Sequence, residues 1–285
     1  MCDLRRKLWL SGIVPALNQT DIQRAVELCD VFYKAGFRTV ELASKAVLAE
    51  VRRQYPDLIL GWTADAGDST CPEFLDFYTV HSGECAKDDA RCFVRPMEKG
   101  ILAFPWEGNV LQGIADAPSA TGRWLEENKC TAIRVPFAGD KEDAKDFTRR
   151  WLKAILDLRL VHVGINSMSP EEDNAGFESL FYIDGMRSKN SVMYDDMVEL
   201  MLHDGRGQAG HLAFSTPNIY RGIASLQRRG FSFDMDSRQF ASEGSLNLIY
   251  LKEMIAGFAI HLIQEKEHTP PGKMHNETIG SETTG

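Results

Sequence analysis

Arg134 sits near the middle of the chain in the run Thr131 to Gly139, TAIRVPFAG, a short β-branched stretch closed by Pro136 and Gly139. The run reads as an inward strand of an α/β barrel, where side chains near a strand's C-terminal end face the active-site mouth. A lysine at that place can form a Schiff base with a ketone. The guanidinium of Arg134 cannot, because it stays protonated and is no nucleophile; it can instead grip a carboxylate or phosphate without covalent chemistry. Glu41, in TVELAS, shares a strand face with Thr39 and Ala43, opposite Val40 and Leu42. A carboxylate turned into a barrel is costly without a partner, so Glu41 is either an acid/base group or half of a buried pair with Lys45 or Arg134. His162, in an apolar strand, reads as a hydrogen-bonded core histidine rather than a base.

The elements that must position these residues alternate from Gly12 to about Asp184 as repeated βα units. Eight strand candidates occur in order: GIVPAL, TVELAS, LILGWT, FLDFYTV, GILAFPW, AIRVPF, LVHVGI and LFYID. Eight parallel strands suit a closed (β/α)8 TIM barrel, whose interior side chains can fill. Thr20 or Asp21 can cap a helix running through Ile22, Ala25, Cys29 and Phe32, which Gly36 ends. Ser169-Pro170-Glu171-Glu172 opens the helix after the seventh strand.

Past His203 the glycine-rich joint DGRGQAG marks a boundary. Beyond it come a strand (HLAFST), a helix opened by Thr216-Pro217-Asn218, and three further strands (FSFDMD, LNLIYLK, GFAIHLIQ), a βαβββ α+β module too small for an independent core. The expected division is a barrel over 1–202, the module over 203–266 and a polar, disordered tail over 267–285.

Composition narrows the function classes. The chain has 285 residues, 44% hydrophobic and 26% charged, and 41 acidic against 32 basic side chains give a net charge of −9. With no long basic cluster, nucleic acid is an unsuitable partner. No apolar run approaches the roughly 18 residues of a spanning helix and no signal-peptide core opens the sequence, so the expectation is a cytoplasmic protein with no membrane partner. The six cysteines form no CxxC pair, which leaves out a zinc ribbon or redox motif.

The segments GIVPAL, AGFRTVELASK, YPDLILGWT, AIRVPF, MSPEEDN and IDGMRSK occur in that order over residues 12 to 202. Together they resemble the 2-keto-3-deoxy-6-phosphogluconate and 4-hydroxy-2-oxoglutarate aldolases, trimeric barrels that release pyruvate through a lysine Schiff base and need no cofactor. The resemblance implies that Glu41 is the general acid/base, that Thr63 belongs to the pyruvate-side loop, and that Ser188 lies in the last anion-binding turn. It also implies departures. Lys45 stands at a substrate-binding arginine, Asn166 and Ser167 replace a glycine pair that would cradle an anion, and Arg134 occupies the place of the Schiff-base lysine. Lys99, Lys129 and Lys141 flank that place as substitute amines.

The segment GHLAFSTPNIYRGIASLQRRGFSFDMD followed by GFAIHLIQ, within 207–265, resembles one βαβββ module of the vicinal oxygen chelate superfamily, the glyoxalase and dioxygenase group. That resemblance implies a divalent metal held between two such modules, with His211 and His261 at ligand positions, and a pairing of the lone module with another copy from a neighbouring subunit. The functions expected are cleavage of a 2-keto-4-hydroxy acid to pyruvate and an aldehyde, with activity placed in doubt by Arg134. The alternatives are a non-catalytic binder of small anionic keto acids or a regulatory subunit that pairs with an active aldolase, and a metal-dependent glyoxalase- or dioxygenase-like activity in the small module; the assembly the resemblance implies is a homo-oligomer.

Overall fold

Two sheets, each with its own helices, make up the computed structural model, which describes residues 3–63, 74–80, 92–94, 102–105, 121–127, 130–203 and 205–265. The first sheet holds β1 (Ile13–Leu17), β2 (Thr39–Leu42), β3 (Ile59–Thr63), β4 (Phe77–Val80), β5 (Cys92–Val94), β6 (Leu102–Pro105) and β7 (Cys130–Phe137), in the order β5-β4-β3-β2-β1-β7-β6. Every neighbouring pair is parallel except β6 and β7.

The helices α1 (Asp3–Ser11), α2 (Ile22–Lys34), α3 (Lys45–Gln54), α4 (Thr121–Glu127) and α5 (Lys141–Leu156) accompany this sheet. Their starts are written locally. Asp21 accepts from the Arg24 amide, Ser44 from that of Val47, and Asp140 and Asp143 form a reciprocal capping box. Strand alternation then divides the sheet. Val40, Leu42, Leu60, Trp62, Ile133, Val135 and Phe137 pack against α2, α3 and α5 in the main core, whereas Val14, Ile59, Phe77 and Ala132 face Leu8 of α1.

The second sheet holds β8 (Arg159–Asn166), β9 (Met186–Arg187), β10 (Ser191–Tyr194), β11 (Val198–Met201), β12 (Gly210–Thr216), β13 (Phe233–Phe240), β14 (Leu246–Ile255) and β15 (Phe258–Gln264), in the order β13-β14-β15-β12-β8-β11-β10-β9. With α6 (Pro170–Phe181) after β8 and α7 (Ile219–Arg228) after β12, the chain order is βαβββ twice. The two modules join where β8 and β12 pair antiparallel.

The expected TIM barrel is therefore corrected: no closed barrel forms among the described residues. The seventh strand candidate, LVHVGI, leaves the first sheet and pairs with β12 and β11 as β8. The eighth, LFYID, is no strand: Leu180 and Phe181 end α6, and Tyr182 caps it in the left-handed region at φ 58°. Residues 159–201, expected within the barrel, instead form one sheet with β12 to β15. The reason is that an apolar run fixes a strand but not its partner, and the first sheet's edge beside β7 is taken by antiparallel β6. Within the chain, β12 of the second module pairs with β8 of the first.

The two sheets are fastened by buried and half-buried polar contacts. The fully buried Arg221 of α7 donates to the Trp9 carbonyl (2.9 Å) and to Glu126 (2.8 Å). Arg123 pairs with Glu265 at 2.7 Å, and the Thr216 hydroxyl donates to the Leu156 carbonyl at 2.7 Å. No helix among the described residues is long and apolar enough to cross a membrane.

Candidate metal centre

In β12 and β15 the apolar side chains Leu212, Phe214, Ile260 and Leu262 pack toward α7, and in β11 Leu200 packs with Phe177 and Phe181 of α6. Alternation then turns His211, Ala213, His261 and Glu199 to the opposite face. The register sets them in two rows. One row runs Glu199, Gly164, His211 across β11, β8 and β12, and the other runs His162, Ala213, His261 across β8, β12 and β15. Each row has a small residue between two polar ones, and the module interchange maps His162 onto His211, Gly164 onto Ala213 and Glu199 onto His261.

The side chains converge. His162 Nε2 and His211 Nε2 are 3.1 Å apart, and Glu199 Oε2 lies 3.0 Å from His211 Nε2 and 3.5 Å from His162 Nε2. Ligand atoms of His162, His211 and His261 all lie within 4.8 Å of one another. Donors bound about 2.0–2.2 Å from one ion are themselves roughly 3 to 3.5 Å apart, so the spacing suits a shared cation. The Ser191 hydroxyl donates to Glu199 Oε1 at 2.6 Å and Ser188 lies 3.1 Å from Ser191, which leaves Oε2 as the oxygen aimed at the histidines.

Two further observations fit these residues to a divalent ion. His261 is buried, yet among the described residues neither of its ring nitrogens has a hydrogen-bond partner, a state that costs about 1–3 kcal/mol per orphaned group unless something binds there. A Cβ on Gly164 would fall 2.0 Å from His211 Cε1, so the sheet is hollowed where the imidazole lies. Burial pushes the His261 imidazole down to about 3, with His211 and His162 adding to the effect, and burial likewise lowers His162. The hydrogen bond from His211, assisted by that from Ser191, holds Glu199 down at about 2. Neutral imidazoles beside an ionised carboxylate are the protonation states a metal requires. A set rich in imidazole nitrogen favours zinc, iron, cobalt or nickel over magnesium or calcium.

Above this cluster the Tyr250 ring stacks on His261 (centroids 4.5 Å apart, 14° between planes) and Arg206 lies 4.6 Å over the Tyr250 ring. Arg206 also pairs with Asp234 at 2.7 Å.

In the first sheet, Arg134 reaches across β1 to Glu41, Nε to Oε1 at 2.9 Å, with Glu41 fully buried. Sheet geometry thus brings together the two residues singled out first. Lys45 begins α3 with its Nζ 4.5 Å from the Trp62 ring, and Lys141 begins α5. Thr63 ends β3, its side chain outside the described residues, as are Lys99, Lys129 and the tail beyond 265.

Asn166, Ser167 and Ser188 fall in the second sheet and its turns, apart from Glu41. Asn166 Nδ2 donates to the Gly205 and Gly207 carbonyls (3.3 and 2.9 Å), Ser167 bonds to Asp173 beside the start of α6, and Ser188 closes the β9–β10 turn. Of the four clustered residues, the sequence names His211 and His261 as candidate ligands, reads His162 as a core histidine and does not single out Glu199. The signal that could have found His162 is the recurrence of a histidine followed two residues later by a small residue, HVG and HLA, 49 positions apart and each leading into a proline-containing helix start; Glu199 has no such signal.

No protein-family model matches the chain, and no curated protein matches it. Among solved structures, a hypothetical protein BH1468 from Bacillus halodurans C-125 is similar at 16% identity and TM-score 0.30, covering 40% of this chain and 98% of its own. Methylmalonyl-CoA epimerase from Streptomyces coelicolor is similar at 14% identity and TM-score 0.31, with 40% of this chain and 98% of its own covered. The methylmalonyl-CoA epimerase from Mycobacterium tuberculosis gives 14% identity and TM-score 0.29 over 38% of this chain and 87% of its own.

Proposed function

We propose that the chain is a divalent-metal-dependent enzyme of the oxygen-chelate type, acting on a small substrate that presents two neighbouring oxygens. The observation that carries this reading is the convergence of His162, Glu199, His211 and His261 on one hollowed face of the paired modules. When bound, a divalent ion supplies Lewis acidity that polarises a carbonyl or stabilises an enolate oxygen. The chain's own residues divide the remaining work. The three imidazoles keep the site nitrogen-rich, Ser191 fixes the Glu199 carboxylate, and Tyr250 walls the side next to His261.

The test is metal analysis of protein purified without a histidine tag, followed by cobalt(II) titration. Near one equivalent per chain is expected, and His211→Ala and Glu199→Gln should each lower affinity by at least about tenfold. Substoichiometric metal that ignores both substitutions would refute the reading.

For the first sheet the Arg134 and Glu41 pair favours a second, non-covalent reading: Arg134 as an anion grip rather than a Schiff-base centre. Borohydride reduction in the presence of pyruvate should then leave the mass of the chain unchanged. A lysine adduct would restore the aldolase.

A further inference from the structure

The joint between the modules places a guanidinium at the rim of the metal centre. Asn166, at the end of β8, binds the carbonyls on both sides of Arg206, those of Gly205 and Gly207, and the Gln208 amide donates to the Gly257 carbonyl at 2.8 Å. Gly207 adopts φ +81°, where a Cβ would meet the Gly210 carbonyl oxygen at 2.0 Å, so the turn is set by the backbone. Arg206 is thereby held over Tyr250, which also stacks on His261, so the guanidinium and the imidazole contact one aromatic ring. Among the described residues, Asp234 is its one hydrogen-bond acceptor, which uses one of five N–H donors; the side chain is about half exposed (48%).

We propose that Arg206 is the specificity-determining residue of this centre, receiving the carboxylate of a substrate whose chelating oxygens lie beyond Tyr250. The substrate class is a small carboxylic acid with an oxygen pair at one end and the carboxylate a short carbon chain away. The proposal rests on the metal-centre reading. A divalent ion among three neutral imidazoles and one carboxylate keeps one net positive charge for anionic oxygens, and Arg206 supplies a second attractive point at the rim. The planar fork suits a carboxylate in a way a lysine would not.

The test uses the full chain loaded with cobalt(II), whose visible spectrum reports ligands entering the centre. Two hydroxamates are titrated: succinohydroxamate, with a carboxylate tail, and butyrohydroxamate, whose tail is neutral. The carboxylated probe should bind at least about tenfold more tightly. Arg206→Gln should erase that preference while leaving butyrohydroxamate affinity within about twofold, and Arg206→Lys should restore part of it. Equal affinities of the wild type for the two probes would overturn the proposal, as would equal weakening of both by Arg206→Gln, which would make Arg206 a support for Tyr250. Failure of cobalt to bind, seen before any probe is added, would overturn the metal reading as well, whereas cobalt binding without tail preference overturns this proposal alone.

Discussion

Gly164 lies between Glu199 and His211 in one cross-strand row and leaves the imidazole the space a side chain would fill. Gly164→Ala puts a methyl within bonding distance of the His211 ring, so the ring or the strand must shift. Overpacking of this kind costs about 1–3 kcal/mol, and the displaced ligand should also weaken cobalt binding, whereas Ala213, its counterpart in the other row, already carries a methyl. The same residues give the metal-free chain a definite pH response. An unfolded histidine takes a proton near its ordinary value of about 6.5, but folded His261 resists protonation down to about 3. The unfolded state thus binds more protons between those values, so stability is full above the upper one and is lost as pH falls toward the lower. Glu199, held at about 2, acts in the same sense at lower pH. In chelator-treated protein the melting temperature should therefore fall steadily below pH 6.5, and His261→Leu should flatten that slope. A slope unchanged by the substitution would remove His261 as its source.

At the level of elements, the turn into β10 orients Glu199, one of the proposed ligands. Ser191 Oγ holds Glu199 Oε1, and Ser188 holds Ser191. Ser191→Ala should leave the fold intact but lower metal affinity by about tenfold, the cost typical of losing an outer hydrogen bond to a ligand; isothermal titration against a competing chelator measures it. Ser191→Thr, which keeps a hydroxyl, should recover most of the affinity. Much at this scale was legible beforehand. The helix from Ile22 and its Asp21 cap, the strand through Arg134, and the whole βαβββ order after Gly210 follow from local spacing and turn residues. The short strands β9, β10 and β11 were not, because two to four residues give no resolvable period.

Across the whole molecule the two sheets meet at Arg221, whose guanidinium is buried against Glu126 and the Trp9 carbonyl. Arg221→Ala removes the partner of a half-buried carboxylate and leaves a void. It should cost roughly 2 to 4 kcal/mol, toward the low side for a buried pair because Glu126 keeps some solvent. Urea denaturation measures the loss, and a midpoint equal to that of the wild type would show that the clamp contributes nothing. Residue order alone determined much of the local vocabulary: most of the strand runs, where the helices from Ile22 and Pro170 begin, and that a guanidinium and not an amine occupies position 134. Only the tertiary structure decided that β8 leaves the first sheet to pair with β12 and β11, and those two pairings made His162 and Glu199 neighbours of His211 instead of barrel residues. The physical reason is that a strand's own period sets which side chains share a face, whereas its partner is chosen by backbone hydrogen bonds and packing between segments far apart in the chain.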